Sequence, residues 1–117
     1  MIPIFDPNGE LAGWFNGDVI LDLENECRAF ISGQAVVSYD GDYLGQFHNG
    51  FFRDGYGNAV AYVDGAQGGP IPPIHAIPPI PPIPPIPPIP PIPPIPPIAA
   101  IPTFAWSDLD FEEFLNG

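Results

Sequence analysis

A chain of 117 residues that holds 14 carboxylates, two arginines and no lysine carries a formal net charge of −12. It lacks the basic patch that a phosphate backbone or an anionic headgroup demands, so neither nucleic-acid binding nor purely electrostatic membrane attachment is expected. Its length allows one modest domain and an extension, because a small domain buries only about 60% of the surface its unfolded chain exposes.

The opening MIPIFDPNG shows no charged start followed by an apolar run, and outside the proline tract no window reaches the ~18 consecutive apolar residues of a membrane helix. A soluble, cytoplasmic protein is the expectation. Cys27 is the single cysteine, which excludes an internal disulfide and reads as a small apolar residue rather than a reactive thiol.

From Asp6 to Gly65 the chain aligns with itself at an offset of sixteen. One column is apolar: Phe15, Ile31, Phe47, Val63. Two places earlier only small residues stand, Gly13, Ala29, Gly45 and Ala61, and between the two columns lie Trp14, Phe30, Gln46 and Tyr62. Turn chemistry repeats with them, as Asp6, Asp22, Ser38, Asp54 followed three residues later by Gly9, Asn25, Gly41, Gly57. A second turn falls at Asn16-Gly17, Ser32-Gly33, His48-Asn49 and Asp64-Gly65.

Asn-Gly and Asp-Gly tolerate positive φ at both central positions, as a two-residue type I′ hairpin requires, while Asp-x-x-Gly suits a type I turn closed by a left-handed residue. Each unit is therefore predicted to be one short hairpin. Simple alternation puts Leu11, Gly13 and Phe15 on one face and Ala12 and Trp14 on the other. The small column implies strands converging where only Gly or Ala fits, the mark of a closed, pseudo-fourfold arrangement. The fourth unit lacks an apolar second strand, and Ile2 to Phe5 supplies it in register, Ile4 matching Ile20 and Phe5 matching Leu21. The N-terminus is thus expected to close the ring beside Val60 to Val63.

Beyond Gly68-Gly69-Pro70 the chain runs as repeated Ile-Pro-Pro. Each residue from Ile77 to Pro97 is a proline or precedes one, which forces polyproline II. At three residues per turn, Ile71, Ile74, Ile77, Ile80, Ile83, Ile86, Ile89, Ile92, Ile95, Ile98 and Ile101 form one stripe over about 90 Å. A compact 68-residue domain has a radius of gyration of only about 11 Å, so it is not expected to cover its own rod. Full burial at roughly 2 kcal/mol per isoleucine would release up to about 20 kcal/mol before ordering costs. Collagen winding fails for want of glycine, and amyloid pairing for want of N–H groups. A ligand for SH3- or WW-type domains and a plain stiff spacer remain as alternatives. The leading expectation is self-assembly, closed or filamentous, through the stripe, with deletion of Ile71 to Ile101 leaving a soluble domain.

Phe104 to Leu115 reads as a short helix, with Ser107 and Asp110 as a capping pair and Trp106 stapled to Phe111. Trp106, Phe111, Phe114 and Leu115 give it an apolar edge that can serve as a latch.

The small-aromatic-apolar-x-Gly pattern of Gly13-Trp14-Phe15-Asn16-Gly17, repeated in four hairpins, then a Gly-Gly-Pro joint, a triplet tract and an ending in Trp106-Ser107-x-Leu109, resembles the four-fold beta flower family. The resemblance implies a shallow symmetric barrel, loosely similar to tubby-like domains, with no established enzymatic activity. By analogy alone it allows a lipid-binding role.

Catalytic constellations are not legible. His48 and His75 have no nucleophile at a matching position, and no phosphate loop is present. The acidic columns Asp6, Asp22, Asp54 and Glu10, Glu26, Asp42 admit a calcium reading, but Asp and Asn cap turns wherever a chain reverses, and turn chemistry is the preferred account. Trp14, Phe30 and Tyr62 read as core rather than as a ligand pocket.

The expected fold is all-β: four tandem β-hairpins of sixteen residues in a closed pseudo-fourfold flower or shallow barrel (residues 1–68), a polyproline II tract (69–102) and a short C-terminal helix (103–117). The expected function is that of a non-enzymatic, self-associating structural protein, without metal or cofactor. A hydrophobic-ligand or lipid module is the alternative.

Overall fold

A computed structural model describes residues 1–117. Eight strands follow one another in space as in sequence: β1 (Ile2–Phe5), β2 (Leu11–Asn16), β3 (Val19–Leu21), β4 (Cys27–Ser32), β5 (Ala35–Ser38), β6 (Tyr43–His48), β7 (Phe51–Arg53) and β8 (Ala59–Tyr62). All neighbours are antiparallel, and Phe5 opposite Tyr62 joins β1 to β8, so the sheet closes into a barrel with no free edge.

The turns alternate between two kinds. In the wide turns the leading side chain does the work: Asp6 Oδ1 accepts from the Asn8 and Glu10 amides, and Asp22, Ser38 and Asp54 repeat the device. The narrow turns differ from the type I′ expectation. Their loops are Gly17–Asp18, Gly33–Gln34 and Asn49–Gly50, and in the first two only the glycine has positive φ, as in type II′. Only Asn49–Gly50 has positive φ at both positions.

Simple alternation also fails at one place in each unit, because a β-bulge interrupts every wide-turn pairing. Ile4 faces Gly13 while Phe5 faces Leu11, and the shift recurs at Ile20/Leu21, Val36/Val37 and Phe52/Arg53. The bulge sends Leu11 to the outer face beside Phe5 and turns Ala12 inward. The same register places Arg28, Leu44 and Val60 with Ala12, at the mouth of the barrel.

The interior holds Ile4, Ile20, Ala29, Val36, Phe52, Val60 and Ala61, with Phe15, Ile31, Phe47 and Val63 packed against them. A six-residue helix, α1 (Phe111–Asn116), plugs the mouth with Phe111, Phe114 and Leu115. The small column answers to this plug and to the bulge rather than to strands meeting on an axis. A Cβ on Gly13 would strike the Leu21 carbonyl oxygen and lie 3.2 Å from the Phe111 ring. On Gly45 it would strike the Arg53 carbonyl oxygen and, at 2.8 Å, the Phe114 ring.

The helix begins later than the sequence suggests. Asp110, not Ser107, is the N-cap, in a full capping box with Glu113. Ser107 donates instead to Asp54 Oδ2, a partner 53 residues away. Trp106 is not stapled to Phe111 but packs on the outside of the barrel against Phe51 and Tyr62.

The tract does not project. The whole chain fits within 36 × 35 × 21 Å, which an extended rod of about 90 Å cannot do. It circles the barrel as a belt: Ala76 N–H donates to Gly9 O, Asn25 Nδ2 to Ile83 O, Gln46 Nε2 to Ala100 O and Thr103 N–H to Gly57 O. These contacts pass the four units in order. Gly9 and Gly57 have no room for a side chain, because a Cβ would meet Ile74 O at 2.8 Å and Ile101 O respectively. Ile74, Ile83, Ile92 and Ile101 succeed one another every nine residues, three triplets to each sixteen-residue unit. At ~3.1 Å per residue the arc from Ile74 to Ile101 is ~84 Å, and three quarters of a circle of ~18 Å radius, half the molecule's width, is ~85 Å.

Candidate functional site

On a closed barrel an outward side chain is buried only by something laid over it. Trp14, Phe30, Gln46 and Tyr62 all point outward and all are buried, and the belt is bonded to two of them, Gln46 and Tyr62. They are therefore neither interior core nor an open pocket. The Tyr62 hydroxyl donates to Pro73 O at 3.2 Å. Removing the tract would expose this column, so the deletion of Ile71 to Ile101 is not the neutral control that a free rod would allow.

Where the triplets are interrupted, the belt is fastened. His75-Ala76 replaces a proline pair, and proline at 76 would lack the N–H that Gly9 O accepts. The His75 ring stacks on Phe5 at 3.9 Å, with Nε2 on Asp64 Oδ1 and Nδ1 2.8 Å from Ala76 O. Both partners only accept, so both ring nitrogens donate and the imidazolium is the fitting form. The Ala76 carbonyl foremost, with the Asp64 carboxylate, raises His75 above its ordinary value, against a lowering by desolvation.

Arg53 closes the ring. It occupies the outward column of Phe5, Leu21 and Val37, is fully buried, and donates through Nη1 to Gly57 O (2.7 Å) and Thr103 O (2.9 Å) and through Nη2 to Gly68 O (3.1 Å). One guanidinium thus holds the start and the end of the belt. It also lies over the Phe51 ring at 5.2 Å. Burial pulls it below its ordinary value and Asp54 opposes that pull. The other cation, Arg28, serves the plug, donating to Asp22, to both Glu112 oxygens and to Asn116 Oδ1.

Every isoleucine of the stripe faces out. All eleven, Ile71 through Ile101, are 85–100% exposed. The latch residues divide, three inside the mouth and Trp106 under the belt's end.

A groove of about 810 Å³ at the mouth is lined by carboxylates of the first two wide turns and of Asp108, Asp110 and Glu112. The calcium candidates Asp6, Asp22 and Asp54 spend their Oδ1 atoms on turn amides, and no three acidic, histidine or cysteine side chains gather to hold a metal ion. Burial and then Asp22 push the Cys27 thiol up, away from the thiolate. No helix is long and apolar enough to cross a membrane.

A family model described as 4-fold beta flower protein matches residues 2–115. No curated protein and no solved structure matches the chain.

Proposed function

The chain belongs to the 4-fold beta flower family, and on that fold we propose that the isoleucine rim is a self-association surface, making this a non-enzymatic structural or interaction protein. The observation that supports the reading is the exposure of eleven isoleucines on one continuous ring. At ~25 cal/mol per Å² and ~2 kcal/mol per side chain, the ring presents roughly 900 Å² of apolar surface. That exceeds the ~300–600 Å² of the largest patch on a typical monomer and matches the ~800 Å² per partner of a standard interface. Because the surface is wrapped around a disc, one flat partner meets only a fraction of it. Each contact is then weak, and the rim calls for several neighbours.

Substituting Ile77, Ile86 and Ile95 by threonine keeps the β-branched shape and the prolines while removing apolar surface from three quadrants. Wild type is expected to form large or fibrous particles at micromolar concentration in sedimentation velocity and negative-stain microscopy, more readily as salt screens the charge of −12. The triple variant is expected to stay a 12.6 kDa monomer. A wild type that remains monomeric at every salt concentration overturns the proposal, and its flotation with zwitterionic vesicles would replace self-association by lipid binding.

A further inference from the structure

The fourth unit differs from the others at the seam, where the belt's two ends meet. The third position of the wide turn reads Asn8, Glu24, Asp40 and then Tyr56. Tyr56 is 83% exposed, and the segment bonded to its turn carries Ile101 and Phe104, 85% and 77% exposed. The two segments that carry them are bound together: Thr103 N–H donates to Gly57 O, and Thr103 Oγ1 to Asn58 Oδ1 at 2.7 Å. Asp54 fixes the Tyr56 amide, Arg53 holds Thr103 O, and Thr103 Oγ1 accepts from the Ala105 amide. Two large aromatics are therefore displayed on a rigid frame, where the other three wide turns carry Asn8, Glu24 and Asp40 at the position of Tyr56.

We propose that this seam patch, Tyr56, Ile101 and Phe104, docks the polyproline rim of a second copy. The inference rests on the self-association reading and names the mate of the rim. Three observations carry it. Aromatic side chains are what polyproline II segments pack upon, since the preformed rod loses little entropy on binding. The chain already uses that chemistry on itself, the buried Tyr62 donating its hydroxyl to Pro73 O and Phe5 stacking on His75 of the tract. Charge selects the same partner. No ionisable residue occurs between Ala76 and Thr103, so the rim is the long stretch of a second copy that can approach without bringing carboxylates against carboxylates.

The contact is heterologous, one seam on one copy meeting one of three isoleucine quadrants on the next. Such contacts build rings where the rotation between copies closes and open chains where it does not. Branching follows, because each disc has one seam and three quadrants to receive it.

The test uses two full-length variants. Tyr56→Asn with Phe104→Ser removes the seam patch, asparagine being the residue that the first unit carries at that place. Ile77, Ile86 and Ile95→Thr takes one isoleucine from each of the three quadrants and so weakens the rim. All five sites are exposed, so thermal melts matching wild type are the check that both fold. The seam variant is expected to need a tenfold or higher concentration to assemble, and an equimolar mixture of the two variants is expected to form small complexes, of two to four chains, that do not grow. A seam variant that assembles like wild type overturns the seam proposal while leaving the rim's role standing. A rim variant that assembles like wild type defeats both. A mixture that stays monomeric also overturns the seam proposal.

Discussion

Consider the removal of one triplet, Pro84-Pro85-Ile86, from the belt. The arc loses ~9 Å, and a belt still fastened at Gly9 and Gly57 would have to shrink from a radius of ~18 Å to ~16 Å. The close-packed barrel beneath has no slack to yield, so one end must open. If Thr103 lets go, its hydrogen bonds to Gly57, Asn58 and Arg53 are lost, and Gln46 loses Ala100. At ~1 kcal/mol for each neutral bond and ~2 kcal/mol for the charged one, the loss is about 5 kcal/mol. For a domain of this size that lowers the melting temperature by roughly 15 °C or more. Inserting a triplet at the same site instead adds slack, and lengthening a closed loop so slightly costs under ~0.5 kcal/mol. Thermal melts of the deletion, the wild type and the insertion side by side decide the matter. Equal effects of deletion and insertion, or a neutral deletion, would refute a belt matched to its barrel.

Other expectations concern the fastenings. Arg53→Met removes three charge-assisted hydrogen bonds, to the Gly57, Thr103 and Gly68 carbonyls, and is expected to cost about 4 kcal/mol in urea titration, with Arg53→Lys recovering only part because an ammonium cannot span both belt ends. Gly45→Ala drives a Cβ into the Arg53 carbonyl and the Phe114 ring, and is expected to destabilise by ~3 kcal/mol or more in the same assay. His75 has a folded-state pKa raised above its ordinary 6.5, so its contribution is full below that value and is lost as pH rises through the folded value. The melting difference between wild type and His75→Gln should accordingly shrink between pH 6 and pH 8, and a difference that grows would remove His75 as a charged fastening.

The hairpin repeat was legible because turn chemistry and small residues recur at fixed spacing, and the closure by Ile2–Phe5 followed from the missing fourth strand. The bulge was not, since an extra residue such as Ala12 leaves no mark in an apolar pattern. Ser107 satisfied a local capping pattern, yet its hydroxyl was claimed by Asp54 from a distant turn. Polyproline II was forced locally, but its curvature is imposed by tertiary fastenings that local φ angles do not encode. Arg53 and Tyr56 were the missed residues, and a signal existed for each: they are the outliers in the columns Phe5, Leu21, Val37 and Asn8, Glu24, Asp40.

The belt also separates two kinds of selection. Its length answers to the barrel, so gain or loss of repeats is checked by circumference. The outward residue of each triplet answers to nothing within the molecule, because side chains 85–100% exposed add little to its stability. The ring is in effect a display frame, with positions every ~9 Å whose occupants can be exchanged without disturbing the frame. Isoleucine at all eleven is then information about the surroundings, written on the molecule's edge.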